Sequence, residues 1–161
     1  MKKGILFDRD GTLIKERGDY NFLPEHLEIL PDVIENLKIL SESGYLLFVV
    51  TNQGGIAKGR YGHKDVIKLH NIMKDEFASH GIMVKDWLYC PHHHDHSRCL
   101  CRKPESLLLE KIIAAHGLDP SKSWMTGDAD RDCQAGDDAG LNTFLLEPNE
   151  GLTRFVRHLK N

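Results

Sequence analysis

Short apolar runs punctuate the chain, and each gives way to polar or glycine residues. Residues 4–7 (Gly-Ile-Leu-Phe) and 46–50 (Leu-Leu-Phe-Val-Val) have the continuous form expected of strands covered on both faces. Residues 123–126 and 143–146 read as further strands, and Trp87-Leu88-Tyr89 leads as a strand into a Cys/His-rich stretch. Between the runs the apolar period becomes helical. Val33, Ile34, Leu37 and Leu40 follow Pro31-Asp32 and stop at Gly44, while Val66, Leu69, Ile72, Met73 and Phe77 run towards Gly81. Leu108, Ile112 and Ala115 predict a third helix ending at Gly117. A short helix over 130–139 and a closing helix on Leu152, Phe155, Val156 and Leu159 complete the pattern. Strands separated by helices, with no repeat or linker, predict one α/β domain over 1–161, a largely parallel sheet with helices on both faces. Residues 14–30 are the longest irregular insert after the first strand, enough for a flap but not for a large cap domain.

Composition narrows the class. Lys plus Arg total 21 against 24 Asp plus Glu, a net charge of −3, so the broad basic surface that grips nucleic acid or acidic membrane is missing. No apolar run approaches the roughly 20 residues that span a bilayer. Met1-Lys2-Lys3 has the positive flank of a signal peptide, but the apolar run behind it stops at Asp8, too soon for an h-region. A cytoplasmic protein is expected, without nucleic-acid or membrane partners.

In open α/β sheets ligands bind beyond the carboxyl ends of the strands, so the residues leaving each strand carry the information. The first strand runs into Asp8-Arg9-Asp10-Gly11-Thr12 and the second into Thr51-Asn52-Gln53-Gly54-Gly55. Arg102-Lys103-Pro104 precedes the third helix, and the fourth strand runs into Gly127-Asp128-Ala129-Asp130-Arg131-Asp132. Two carboxylates at i and i+2 before a turning glycine converge on one small site. Crowded carboxylates repel unless a cation holds them, which implies a hard, oxygen-liganded ion such as Mg²⁺. A hydroxyl, an amide and a lysine at neighbouring strand ends suit the oxygens of a phosphoryl group. An EF-hand-like calcium loop is the bland reading of Asp-x-Asp-Gly, but such a loop has more alternating acids and a closing Glu, which this segment lacks.

Three of the four cysteines and four of the ten histidines lie between 90 and 101. Cys90, His92, Cys99 and Cys101 make a closed set suited to tetrahedral Zn²⁺, with no open position for catalysis. His93, His94 and His96 are rival imidazoles for the fourth place. Cys133, on the short fourth helix, is expected to pack as a free thiol, and Asp130 to be a plain first-turn acid.

Together these segments resemble the haloacid-dehalogenase-like (HAD) phosphohydrolases. Asp8-x-Asp10-Gly11-Thr12, Thr51, Lys103 and Gly127-Asp128-x-x-x-Asp132 match the four motifs of that superfamily in order. Thr51-Asn52-Gln53, Cys90-Pro91-His92 and Cys99-x-Cys101-Arg102-Lys103-Pro104 resemble, more narrowly, the branch holding heptose 1,7-bisphosphate phosphatases and histidinol-phosphate phosphatases. The resemblance implies a Rossmann-like HAD core and a phosphoric monoester hydrolase acting on a small phosphorylated metabolite. It implies Asp8 as nucleophile and Asp10 as general acid/base. Mg²⁺ would be held by Asp8, the Asp10 carbonyl and Asp128, with Asp132 behind, orienting Lys103 or a metal-bound water. It gives Thr51, Asn52, Gln53, Arg102 and Lys103 to the substrate, Arg102 to a second phosphate, and the zinc imidazole to His92. Zinc would then hold the substrate-facing edge in shape in place of a cap. Gly55 to Tyr61 and the run from Tyr20 to Glu25 favour the heptose substrate, whereas His70-Asn71 and Asp19 favour histidinol phosphate. Asp19 and Gly54 stand where heptose phosphatases often have Gly and Ser. Lys58 and Arg60 are weaker candidates for the second phosphate. A monomer is expected. The rival from another class, an inactive zinc-stabilised binding module, would show damage in the first motif, which is intact.

Overall fold

The computed structural model describes residues 1–161. Its five strands are β1 (Gly4–Phe7), β2 (Leu46–Asn52), β3 (Val84–Cys90), β4 (Trp124–Gly127) and β5 (Asn142–Leu145). They form one parallel sheet in the order β3-β2-β1-β4-β5. The helices are α1 (Val33–Glu42), α2 (His63–Ser79), α3 (Leu107–His116), α4 (Asp130–Asp138) and α5 (Thr153–Lys160).

Side-chain alternation along the strands divides the core in two. Ile5, Phe7, Leu47 and Val49 point to one face and meet Leu37 and Leu40 of α1, Met73 and Phe77 of α2 and Phe155 of α5. Leu6, Phe48, Val50 and Met125 point to the other and meet Leu108, Leu109 and Ile112 of α3 and Ala135 of α4. Both faces are covered, which is why β1 and β2 carry unbroken apolar runs. The chain builds outward from β1 to β2 and β3, then crosses back to β4 on the other side of β1. The order therefore reverses between β1 and β4, and the crevice at that switch point is where Asp8 and Asp128 emerge.

The elements depart from the sequence reading in instructive places. β3 extends from Val84 rather than Trp87, because an edge strand is half exposed and tolerates Lys85 and Asp86. On α2 the buried stripe is Val66, Leu69, His70, Met73 and Phe77, so His70 takes the inward place that Ile72 was expected to hold. β4 and β5 start and end within one residue of the expected runs. Residues 14–30 fold back as a flap, pinned by a bridge between Ile14 and Ile29 and by Lys15 N–H donating to the Glu28 carbonyl at 2.8 Å. Aromatic contacts of Tyr20 and Phe22 with Tyr61 hold its outer edge. No helix is long and apolar enough to cross a membrane.

Candidate active site

The first motif turns sharply as it leaves β1. Gly11 sits at φ +83°, and a Cβ there would run into the Asp128 carboxylate, so the turn needs glycine twice over. That close approach sets Asp128, from the end of β4, beside Asp8, from the end of β1.

Lys103 is fully buried, and its ammonium donates to Asp8 Oδ1 at 2.8 Å and to the Val50 carbonyl at 2.7 Å, and pairs with Asp132 Oδ1 at 2.7 Å. Two of its three N–H bonds are taken by Asp8 and Val50, and the Asp132 carboxylate pairs with its charge. Lys103 was expected to bind phosphoryl oxygens; in the structure its ammonium lies against the expected nucleophile Asp8, at the strand end where a phosphoryl group would sit. Asp132 is wholly buried, and its second oxygen accepts the Ala129 N–H at 3.1 Å, capping α4. One residue thus serves both as helix-start acid and as Lys103's partner.

The carboxylates of Asp8, Asp128 and Asp132 lie within 4.8 Å of one another. Burial, then the Asp132 and Asp128 charges, push the Asp8 carboxyl well above the usual range, while Lys103 pulls it back. Burial raises Asp128 as well. Burial alone would lower Lys103, but Asp132 and Asp8 hold it above its ordinary value. Three carboxylates with one ammonium leave the site short of positive charge, and the hard oxygen donors fit Mg²⁺.

Asp10 is different. Its Oδ2 accepts from Arg9 Nε at 3.0 Å and Gln53 Nε2 at 3.2 Å, and its Oδ1 from Arg9 Nη2 at 3.2 Å and Asn21 Nδ2 at 2.7 Å. Burial would raise this carboxyl, but the Arg9 charge and these donors together hold it below its ordinary value.

The site opens into a cleft of about 380 Å³, lined on the catalytic side by Asp8, Asp10, Thr51 and Asp128. Asn52 and Gln53, expected to meet substrate, also lie on its wall, but their amides are committed to the protein. Asn52 exchanges two 3.0 Å hydrogen bonds with the backbone of Lys103, fixing the third motif to the second. Gln53 bridges Asp10 to Thr51 Oγ1 (2.9 Å) and accepts the Tyr61 hydroxyl at 2.6 Å. Arg102 lies on the opposite wall, its Nη1 donating to the His92 carbonyl at 3.2 Å. Gly54 leaves room for it, since a Cβ there would stand 2.9 Å from that same Nη1. Arg131 and His93 also line the cleft; Arg131 was not singled out from sequence, and His93, weighed there only as a rival zinc ligand, is buried in the cleft wall. Arg131 follows Asp128 by three residues on the first turn of α4, the one signal that could have found it. Lys58 and Arg60 are drawn off by Asp95 and Asp19, at 3.4 and 3.3 Å, and do not line it.

Beside Arg102 the four sequence-predicted zinc ligands converge. Cys90 Sγ lies 3.0 Å from Cys101 Sγ, 3.7 Å from Cys99 Sγ and 3.4 Å from His92 Nδ1, which is 3.2 Å from Cys101 Sγ. Zn–S bonds of about 2.3 Å in a tetrahedron put sulfurs about 3.8 Å apart, so the set is close enough to close on one Zn²⁺. The His92 N–H and the Arg102 N–H donate to Cys90 Sγ and Cys99 Sγ, each at 3.4 Å, as thiolate ligands require. Of the four histidines, His92 is the one that meets the thiols. His93 instead accepts the Asp95 N–H at 3.1 Å and stacks on His94.

Comparison with known proteins agrees with this architecture. The HAD-hydrolase-like family model matches residues 100–153. The D-glycero-beta-D-manno-heptose-1,7-bisphosphate 7-phosphatase of Pasteurella multocida is 36% identical over 159 residues, 95% of this chain and 86% of that one. The histidine biosynthesis bifunctional protein HisB of Legionella pneumophila is 34% identical over 143 residues, 88% of this chain but only 40% of that protein. A crystal structure of D,D-heptose 1,7-bisphosphate phosphatase from B. bronchiseptica, complexed with magnesium and phosphate, superposes with a TM-score of 0.85. It is 28% identical, covering 99% of this chain and 87% of that one. The sheet, the absence of a large cap and the order of the four motifs make this chain a phosphoric monoester hydrolase of HAD type. It belongs to the HAD-like family whose members include the heptose-1,7-bisphosphate 7-phosphatases.

Proposed function

We propose that the chain removes the 7-phosphate of D-glycero-D-manno-heptose 1,7-bisphosphate by way of an aspartyl-phosphate on Asp8. The observation that carries the mechanism is the pairing of two unlike carboxylates at one strand end. Asp8 is held by a buried ammonium and faces the cleft, while Asp10 is saturated with donors beside it. The substrate reading rests on the relatives, and on a cleft that offers Arg102 and Arg131 beyond the catalytic end.

An Asp8 carboxylate oxygen attacks phosphorus, the P–O bond to C7 breaks, and the departing oxygen takes a proton from Asp10. Its donors hold Asp10 ionised in the free enzyme, and it takes that proton up from the substrate's phosphate monoanion. Water then attacks the aspartyl-phosphate, gives its proton to Asp10 and releases phosphate, with the Asp8–phosphorus link broken. Thr51 binds a phosphoryl oxygen, and Lys103 steadies Asp8 through both steps. Asp8, Asp128 and the Asp10 carbonyl would hold Mg²⁺, which when bound neutralises the carboxylates and draws charge from the phosphoryl oxygens. Cys90, His92, Cys99 and Cys101 would hold Zn²⁺, a structural ion that fixes the loop carrying Arg102. The distal 1-phosphate is then placed to meet that guanidinium, a charge-assisted and geometrically specific contact.

The test is phosphate release across heptose 1,7-bisphosphate, histidinol phosphate, simple sugar phosphates and nucleotides. The account expects the bisphosphate to have the highest kcat/KM. A preference for histidinol phosphate would replace the heptose assignment with the HisB-like one.

A further inference from the structure

Arg9 stands between the two acids of the first motif, a place where a basic residue ordinarily faces water. Here it is among the largest fully buried side chains, 1% exposed. Its Nε and Nη2 engage both oxygens of Asp10, and Nη2 also donates to the Asn21 carbonyl at 3.0 Å. Its remaining nitrogen, Nη1, lies 3.2 Å from Nε2 of His70. A guanidinium can only donate, so Nε2 of His70 is the acceptor and the ring proton sits on Nδ1. Burial, then the Arg9 charge, drives the His70 pKa down to about 3, so the ring is neutral and this tautomer is stable. His70 is itself buried on the inward stripe of α2, with its ring 5.0 Å from that of Trp87, and it does not line the cleft.

We propose that His70 and Arg9 are positioning residues for Asp10, with His70 fixing the guanidinium from α2 and the guanidinium fixing the carboxylate at the reacting centre. The inference rests on the acid/base role given to Asp10 above. A bidentate fork holds a carboxylate in one plane and one rotamer, which a single donor cannot do. The fork is held in orientation when its far side is also bonded, and His70 is the partner of Nη1. The Asn21 carbonyl brings the flap into the same arrangement, so the strand end, the flap and α2 converge on one guanidinium. Misplacement of a catalytic group by about 1 Å can cost on the order of 100-fold in rate.

The experiment compares His70→Leu and His70→Gln on two esters, using kcat/KM, which reports the steps up to departure of the leaving group. The sugar phosphate releases an alkoxide that needs a proton, whereas p-nitrophenyl phosphate releases a phenolate that does not. His70→Leu removes the acceptor, and is expected to lower kcat/KM about ten-fold on the sugar phosphate and less than about two-fold on p-nitrophenyl phosphate. His70→Gln puts an oxygen acceptor near the Nε2 position and should restore most of the loss. Equal losses on both esters, or no loss on either, would overturn the positioning role. If His70→Leu fails to fold, as judged by its melting transition, Arg9→Lys takes its place. That variant keeps the buried charge, loses the fork, and must show the same discrimination between esters. Asp10→Asn serves as the reference: without ester discrimination in that variant, Asp10 is not the acid, and this inference falls with that assignment. Discrimination in Asp10→Asn but not in the His70 or Arg9 variants would sink the inference alone.

Discussion

Lys103→Met removes the one ammonium from a buried cluster of carboxylates while roughly keeping the side chain's length. In the wild type the ammonium lies 2.8 Å from Asp8 and 2.7 Å from Asp132. At an effective dielectric of about 20, each contact corresponds to about 6 kcal/mol of attraction, most of it offset by the cost of dehydrating the ions. Removing one partner from such a buried set typically costs about 3–5 kcal/mol, because the charges left behind are unpaired. For a chain of this length that lowers Tm by about 6–20 °C. The loss should depend on pH with a definite sign. Asp8 already has a folded pKa above its unfolded one, and losing Lys103 raises it further. A carboxyl with a raised folded pKa takes up a proton on folding, so stability grows as pH falls through that folded value. The gap between wild type and variant should therefore narrow from pH 8 to pH 5. Mg²⁺ should narrow it too at pH 8, by supplying the missing cation. The assay is urea unfolding of metal-stripped protein at both pH values, with and without Mg²⁺. A gap below about 1 kcal/mol, or one indifferent to both pH and Mg²⁺, would refute the electrostatic reading of this cluster.

Other outcomes are expected from the same geometry. Asp8→Asn should abolish turnover with the fold intact by circular dichroism, because an amide cannot attack phosphorus; more than trace activity would count against a covalent route. Cys99→Ser should lower Tm and strip zinc in elemental analysis while Mg²⁺ dependence persists, since structural zinc contributes folding energy. Zinc-free wild-type protein, purified without chelators, would contradict the site. Arg102→Ala should raise KM for the bisphosphate at least about ten-fold more than for a monophosphate, the size expected of a charge-assisted bidentate contact. Equal shifts would assign Arg102 to the transferred phosphate or to the loop.

Much of this was legible in the sequence because it rests on local rules. The apolar runs of β1 and β2, the acids leaving β1 and β4, and the spacing of Cys90, His92, Cys99 and Cys101 announce themselves within a few residues. What was not legible depends on distant segments meeting. Nothing local marks Arg9, between two acids, for burial; its guanidinium is covered only because His70 and Asn21 approach it from distant segments. His70 did carry a faint signal, lying at the i+4 place of the stripe begun by Val66, but a histidine there reads as a lapse in the pattern. Asn52, Gln53 and Lys103 occupy the motif positions expected, yet their donors turn inward, because the second and third motifs must first be fastened to each other and to Asp8. Motif position gives the neighbourhood of a side chain, and the count of competing partners decides what it touches.

The central claim is that phosphate leaves in two displacements at phosphorus, with Asp8 as the carrier between them. The most direct measurement is the stereochemical course with a thiophosphate analogue of the substrate, made chiral at phosphorus by sulfur and oxygen isotopes and turned over in water carrying the third oxygen isotope. Two in-line displacements invert twice, so the account predicts net retention in the released inorganic thiophosphate. Net inversion would mean that water attacks the substrate directly, and that Asp8 is never phosphorylated.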